Sequence, residues 1–244
     1  MEELRLWGAI VNALAVIGGA AIGMLFKRLI GDTSKNERAK ALSDHIFFGM
    51  GLCVITIGIS GAIESTNILV VIISVAIGSL LGHLMRLDAG VNALGNKIEA
   101  LARDKFGNVA QGFVSASLLF CVGAMAIVGS LDSGLLCDHT TQYTKATIDF
   151  VSAIVLASSM GIGVMFSALF ILVFQGSITL LAQWISPFLN TEVISCMSVV
   201  GSILIIGLAM NMLNITKLKI MNYMPAIFLP ILFIPLANWI AQIL

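Results

Sequence analysis

Long apolar runs alternate along the chain with short clusters of charge. The stretches free of Asp, Glu, Lys and Arg cover residues 6–26, 45–63, 65–85, 106–131, 150–191, 193–216 and 220–244. A helix needs about 20 residues to cross a hydrocarbon layer roughly 30 Å thick, so six of these runs each fit one crossing. The run from Phe150 to Thr191 is about twice too long for one. It predicts two helices with the break at Gly161-Ile162-Gly163, because two glycines two apart weaken a helix and permit a tight turn. The division is uneven. The fifth helix can span only if it starts before Phe150, near Tyr143, and takes in Lys145 and Asp149. A break nearer Gly176 would remove that requirement. The pattern predicts an all-α fold: a polytopic membrane bundle of about eight transmembrane helices, forming a single integral membrane domain over residues 1–244.

Composition and charge sharpen this picture. Apolar residues make up 59% of the 244 and charged residues 11%, with a mean hydropathy of +1.04. These values exclude a soluble enzyme or a nucleic-acid reader. Thirteen basic and thirteen acidic residues cancel, so only their placement informs. With eight helices and the amino terminus outside, the cytoplasmic loops hold Lys27, Arg28, Lys35, Arg38, Lys40, Arg86, Lys97, Arg103, Lys105, Lys217 and Lys219, eleven of the 13. A single crossing by the long run would move Lys217 and Lys219 outside. The excess of positive charge on inner loops therefore favours eight helices in a cytoplasmic (inner) membrane, with both termini outside. A signal peptide carries its positive charge before the apolar run, whereas here Lys27 and Arg28 follow it. The first helix is expected to stay in the mature protein.

Two internal repeats compete. Gly8-Ala-Ile-Val-Asn12-Ala-Leu-Ala-Val16 aligns without a gap on Gly163-Val-Met-Phe-Ser167-Ala-Leu-Phe-Ile171, and Val54–Gly58 lies near Ile203–Gly207. This sets helices 1 to 3 on helices 6 to 8, with repeat halves 7–87 and 162–243 flanking a central pair 106–160. An odd displacement of five helices inverts the second copy, the arrangement many secondary transporters use for alternating access. The alternative is a parallel repeat of helix pairs, with Cys53-Val54 and Gly61-Ala-Ile-Glu64-Ser65 over Cys121-Val122 and Gly129-Ser-Leu-Asp132-Ser133. Both can hold together.

Small residues predict where helices approach closely: Gly19 with Gly23, and the stripe Ser74, Gly78, Gly82. Pro225, Pro230 and Pro235 predict a bent last helix. Val91, Leu94, Ile98, Leu101 and Ala102 recur at helical spacing among basic residues, which reads as an amphipathic helix on the cytoplasmic face or as a solvated connector.

Polar groups at membrane depth are costly and often functional. Asn12 lies within the first helix and repeats as Ser167 in the inverted match, a pair that either faces the bundle interior or serves an interhelical hydrogen bond. Asp149 and Asp132, with Lys145, are placed on the outer side as the rim of a cation-attracting vestibule, or as helix caps. Gln111, Ser115, Ser117 and Gln175 add polarity, although serines in such helices often bond their own backbone. The Gly161/Gly163 break would supply exposed backbone groups. Four dispersed cysteines and three histidines on opposite sides predict no metal site. No nucleophile elbow, P-loop, dinucleotide fingerprint or H-E-x-x-H occurs, so no enzyme and no cofactor are expected.

The run GFVSASLLFCVGAMAIVGS from Gly112 to Ser130, continuing into Leu131-Asp132-Ser133-Gly134, resembles the signature of the YqgA-like bacterial membrane proteins, a domain of unknown function. The resemblance takes in Gly8 and Asn12, Gly18, Gly19, Gly23, Lys145, Asp149, Gly161-Ile-Gly163, Ser167, Gln175-Gly176 and Asn222-Tyr-Met-Pro225-Ala226. It covers nearly the whole chain and implies an inner-membrane transport protein whose substrate is not established. Two functions are carried forward. One is movement of a small solute or ion across the membrane, with Asn12, Asp149, Ser167, Gly161, Gly163 and Asp132 along the pathway. The other is a non-transporting scaffold or regulator acting through the basic loops. The expected partners are the lipid bilayer and a small solute or ion, with homo-oligomers open and nucleic acid excluded.

Overall fold

The structure is a computed structural model and describes residues 5–30, 37–63, 67–90, 93, 109–121 and 123–243. The proposed amphipathic segment around Val91–Lys105 lies outside the described residues, apart from Ala93. Helices account for nearly all of what is described: α1 Trp7–Ile30, α2 Glu37–Ala62, α3 Ile68–Leu84, α4 Val109–Cys121, α5 Ala124–Leu136, α6 Thr140–Met160, α7 Gly163–Leu180, a short α8 Ala182–Ile185, α9 Thr191–Met212 and α10 Pro230–Ile243. A 3-10 segment, Ile220–Ile227, precedes α10.

Four of these helices contain stretches long and apolar enough to cross a membrane: Trp7–Arg28, His45–Ala62, Gly163–Leu180 and Thr191–Met212. Counting each bent pair as one span raises the number to six. The two pairs are α4 with α5, bent by 63°, and Ile220–Ile227 with α10, bent by 44°. The second bend lies where the prolines are. Pro225 sits inside the 3-10 segment, while Pro230 opens α10 and Pro235 lies within it. The first bend, which the charge-free run over 106–131 did not disclose, falls at Gly123, whose φ of 118° is open to glycine and strained for other residues.

The long apolar run does divide between Met160 and Gly163. Gly161 takes a φ of 74°, and α6 starts at Thr140, so Lys145 and Asp149 lie within it. Other ends follow local chemistry. The side chains of Asn67 and Asn190 accept the amides of Val70 and Val193 at the starts of α3 and α9. Asn214, in the left-handed region at φ 57°, closes α9, with the Ile215 amide bonded to the Met210 carbonyl and the Asn214 amide to that of Asn211.

Close backbone approach organises the bundle. A Cβ at Gly19 or Gly23 would strike the carbonyls of Phe150 and Ile154, which fixes α1 against α6. At Gly78 and Gly82 it would strike Ala226 and Asn222, seating α3 on the 3-10 segment. Gly58 and Gly61 meet Ser202 of α9 in the same way. Lipid gives helices no hydrophobic drive to associate, so such contacts carry much of the cohesion. Helix α9 is buried along most of its length and forms the centre, while α2 and α3 turn rows of Leu and Ile outward.

Candidate functional site

The α1/α6 contact that the glycines create also encloses polar side chains. One helical turn apart on α1 stand Gly8 and Asn12. On α6, Gln142, Lys145 and Asp149 share one face, at the i, i+3, i+7 spacing of a helix. Asn12, Gln142, Ser167 and Gln175 are fully buried, and Asp149 keeps 4% of its surface.

Asn12 sits at the centre of this cluster. Its Nδ2 donates to Asp149 Oδ2 at 3.0 Å and to Gln175 Oε1 of α7 at 3.2 Å. Asp149 Oδ2 also accepts from the Lys145 ammonium at 2.5 Å, an ion pair whose side chains are 7% and 6% exposed. Three helices thus converge on one carboxylate oxygen and its amide partner. Asp149 follows Thr140 by nine residues, about 13 Å along a helix rising 1.5 Å per residue. It therefore lies near the middle of α6. Burying a charged side chain away from water is costly, and pairing with Lys145 offsets part of this.

Toward the Thr140 end of α6 the polarity continues. Gln142 Nε2 donates to Ser130 Oγ of α5, and Thr179 Oγ1 of α7 donates to the Ser130 carbonyl. A Cβ at Gly8 would press on Gln142 and on Ser133 Oγ, so only glycine leaves α1 this close. Ser133 Oγ in turn contacts His139 Nδ1 at 3.0 Å and donates to the Asp138 carbonyl. Outside the helices, Asp138 accepts from the hydroxyl and amide of Thr140, which hold its carboxyl below the usual range.

In the other direction lies α4. Cys121, buried at the end of α4, is within electrostatic reach of Lys145 and Asp149. Ser117, one turn earlier on the same face, is buried with a hydroxyl that has no partner among the described residues, as is Ser115. Ser115 lines a polar groove of about 350 Å³ with Asp88, Gln111, Asn211, Lys217 and Lys219. Asn211 shapes the loop on that side by donating to the Leu218 carbonyl and accepting from Thr216 and Leu218.

The predicted pathway residues fare differently. Asn12 and Asp149 come together directly. Ser167 is buried, but its hydroxyl donates to the Val164 carbonyl of its own helix, and Gln175, two turns on, is the α7 residue that meets Asn12. A short hydroxyl is satisfied by the nearest backbone carbonyl, while a glutamine reaches across. Asp132 does not close its helix: α5 runs on to Leu136, and Asp132 is half-buried with its backbone carbonyl accepting the Asp138 amide. Gly161 and Gly163 are buried, the Gly161 amide and carbonyl are both bonded within the turn, and a Cβ at Gly163 would strike the Val109 carbonyl. This break is a packed turn with no exposed backbone at Gly161. Sequence reasoning passed over Gln142, Ser130 and Thr179, which only the packing of α5 and α7 against α6 brings to the site. The i, i+4 spacing of Lys145 and Asp149 was the signal for their pairing.

Comparison with known proteins places the chain among relatives. A family model described as "Protein of unknown function (DUF554)" matches residues 7–235. An uncharacterized membrane protein of Bacillus subtilis (strain 168), YdfK, is 34% identical over 92% of this chain and 94% of its own length. The uncharacterized protein YqgA of Escherichia coli (strain K12) is 28% identical over 91% and 93%. No solved structure matches significantly. The resemblance to the YqgA-like proteins thus holds over nearly the whole chain, and the chain belongs to the DUF554 family.

Proposed function

We propose that this protein is a multi-pass transport protein of the cytoplasmic membrane, without enzymatic activity, that moves a small solute or ion past Asp149. One observation carries the reading: Asn12, Asp149 and Gln175 converge from three helices, enclosed near mid-helix depth. Ionisable groups buried in a membrane bundle are costly, and they mark substrate or ion paths and proton relays. The path extends both ways, through Gln142, Ser130, Ser133 and His139 at one end, and through Cys121, Ser117 and Ser115 to the polar groove at the other. A scaffold gains nothing from such a file.

The proposal includes eight crossings. Helix α3, with 17 residues or about 25 Å, and α6, whose first half is polar, are the two that fall short by length or apolarity. Helix directions alternate along the chain when both are counted. Lys27 reaches the Ser159 carbonyl beside the Gly161 turn, and Lys217 and Lys219 line the groove at that same end. That end is the cytoplasmic one by the distribution of basic residues. Supporting an inverted repeat, α1 packs on α7, α2 on α9 and α3 on Ile220–Ile227, each helix of the first half against its proposed counterpart.

Native Cys121 provides the test. In a variant whose other cysteines, Cys53, Cys137 and Cys196, are replaced, a transporter exposes Cys121 to water during its cycle. A small methanethiosulfonate reagent should label it slowly in liposomes. A protein that leaves Cys121 unmodified, while a variant keeping only exposed Cys137 reacts fully, is a dry scaffold and the proposal fails.

A further inference from the structure

The site's own chemistry narrows the solute. Lys145 and Asp149 place one positive and one negative charge side by side, so the enclosed site is neutral as it stands. Adding a lone cation or a lone anion would leave a net charge near mid-membrane, where the surroundings hardly solvate it. A ligand that carries both signs leaves the balance unchanged.

The amides around the pair show the same dual character. Gln175 Nε2 is a buried donor with no partner among the described residues, and Asn12 Oδ1 and Gln142 Oε1 are buried acceptors with none. An unmet buried polar atom costs about as much as a lost hydrogen bond, and Asn12 and Gln175, which both belong to the Asp149 network, each leave one unmet, one an acceptor and the other a donor. The Lys145 ammonium has three N–H groups and directs one at Asp149. Both donors and acceptors are on offer, close to charges of both signs.

We propose, resting on the transport reading above, that the solute is a small zwitterion bearing an ammonium and a carboxylate a few bonds apart, as an amino acid does. On binding, the ion pair opens. The solute's ammonium takes the place of the Lys145 ammonium at Asp149, with Asn12 Oδ1 accepting. Its carboxylate meets Lys145, with Gln175 Nε2 donating. No proton is transferred and no net charge enters. In the solute-free state Lys145 occupies the ammonium position, a tethered stand-in that keeps Asp149 paired.

The experiment is a thermal-unfolding series on the purified full chain in detergent. The probes are glycine, β-alanine and γ-aminobutyrate against methylammonium chloride, sodium chloride and sodium acetate at matched ionic strength. The reference is the double variant Lys145→Met/Asp149→Leu, which buries no charge and so is not expected to fail to fold. Zwitterions stabilise proteins unspecifically at high concentration, so the readout is the wild-type rise beyond that of the double variant. A rise of several degrees with at least one zwitterion, and none with the three salts, is expected. An equal rise with methylammonium, sodium or acetate overturns the zwitterion while leaving a solute site at Asp149. A zwitterion rise retained in full by the double variant overturns the placement. No excess rise with any zwitterion overturns the assignment, and Cys121 labelling then decides the transport reading separately.

Discussion

Asn12 and Asp149, 137 residues apart, meet at 3.0 Å where the Gly19/Gly23 contact draws α1 onto α6. Asn12 uses its amide group twice, toward Asp149 and toward Gln175. Replacing it with leucine strips both of a donor inside the bundle, and each buried group left unpaired costs about 1–3 kcal/mol. Asn12→Leu should lower the unfolding midpoint clearly. Ser167→Ala, which gives up a bond to its own helix backbone, should change it little. Equal effects from the two would mean that the Asn12 contacts contribute nothing special.

The Lys145–Asp149 pair should respond asymmetrically. Removing Asp149 alone leaves a buried ammonium uncompensated, and breaking a buried pair in this way costs about 3–5 kcal/mol. Replacing both members by apolar residues removes the desolvation cost together with the attraction. Asp149→Ala is therefore expected to destabilise strongly, and Lys145→Met/Asp149→Leu to recover most of the loss in the same denaturation assay. A double variant as unstable as the single one would show that the pair is needed for folding itself.

Packing of α1 on α6 gives a local comparison. Gly19→Ala and Gly23→Ala drive a methyl into the Phe150 and Ile154 carbonyls, backbone atoms that cannot turn aside, whereas a Cβ at Gly18 finds only Phe150 Cε2 at 3.6 Å. Thermal unfolding should fall for the first two and hold for Gly18→Ala, by about 1–3 kcal/mol as for other overpacked sites. A tolerant Gly23 would mean that α1 is free to shift away from α6.

Topology is open to direct labelling. With the groove end cytoplasmic, a cysteine at Lys217 should resist an impermeant thiol reagent added to intact cells and react once the membrane is opened. One at His139 should react in intact cells. Ready labelling at Lys217 from outside would reverse the orientation or remove one crossing.

Much of this arrangement was legible in the chain, and the reasons are physical. The length of the run from Phe150 to Thr191 against the thickness of a bilayer located the turn at Gly161 and required Lys145 and Asp149 to enter α6. Gly19 with Gly23, and Gly78 with Gly82, announced close contacts because nothing but small side chains permits them. The bend at Gly123 stayed hidden, since one glycine in an apolar run leaves hydropathy unchanged. Asp149 was read a turn or two inside a helix starting near Tyr143, and α6 starts three residues earlier at Thr140, because the edge of a charge-free run does not mark where a helix begins. Gln175 was named only as one of several polar residues, and its meeting with Asn12 depends on the rotation of α7 about its axis, which spacing along one helix does not fix.

Counterflow in proteoliposomes tests the central claim, that a zwitterionic solute crosses the membrane at the Asp149 network, most directly. Vesicles loaded with an unlabelled amino-acid mixture and diluted into the radiolabelled mixture should accumulate label well above protein-free vesicles, and the Lys145→Met/Asp149→Leu variant should not. Wild-type vesicles that accumulate no label, or a double variant that accumulates it undiminished, would contradict the account.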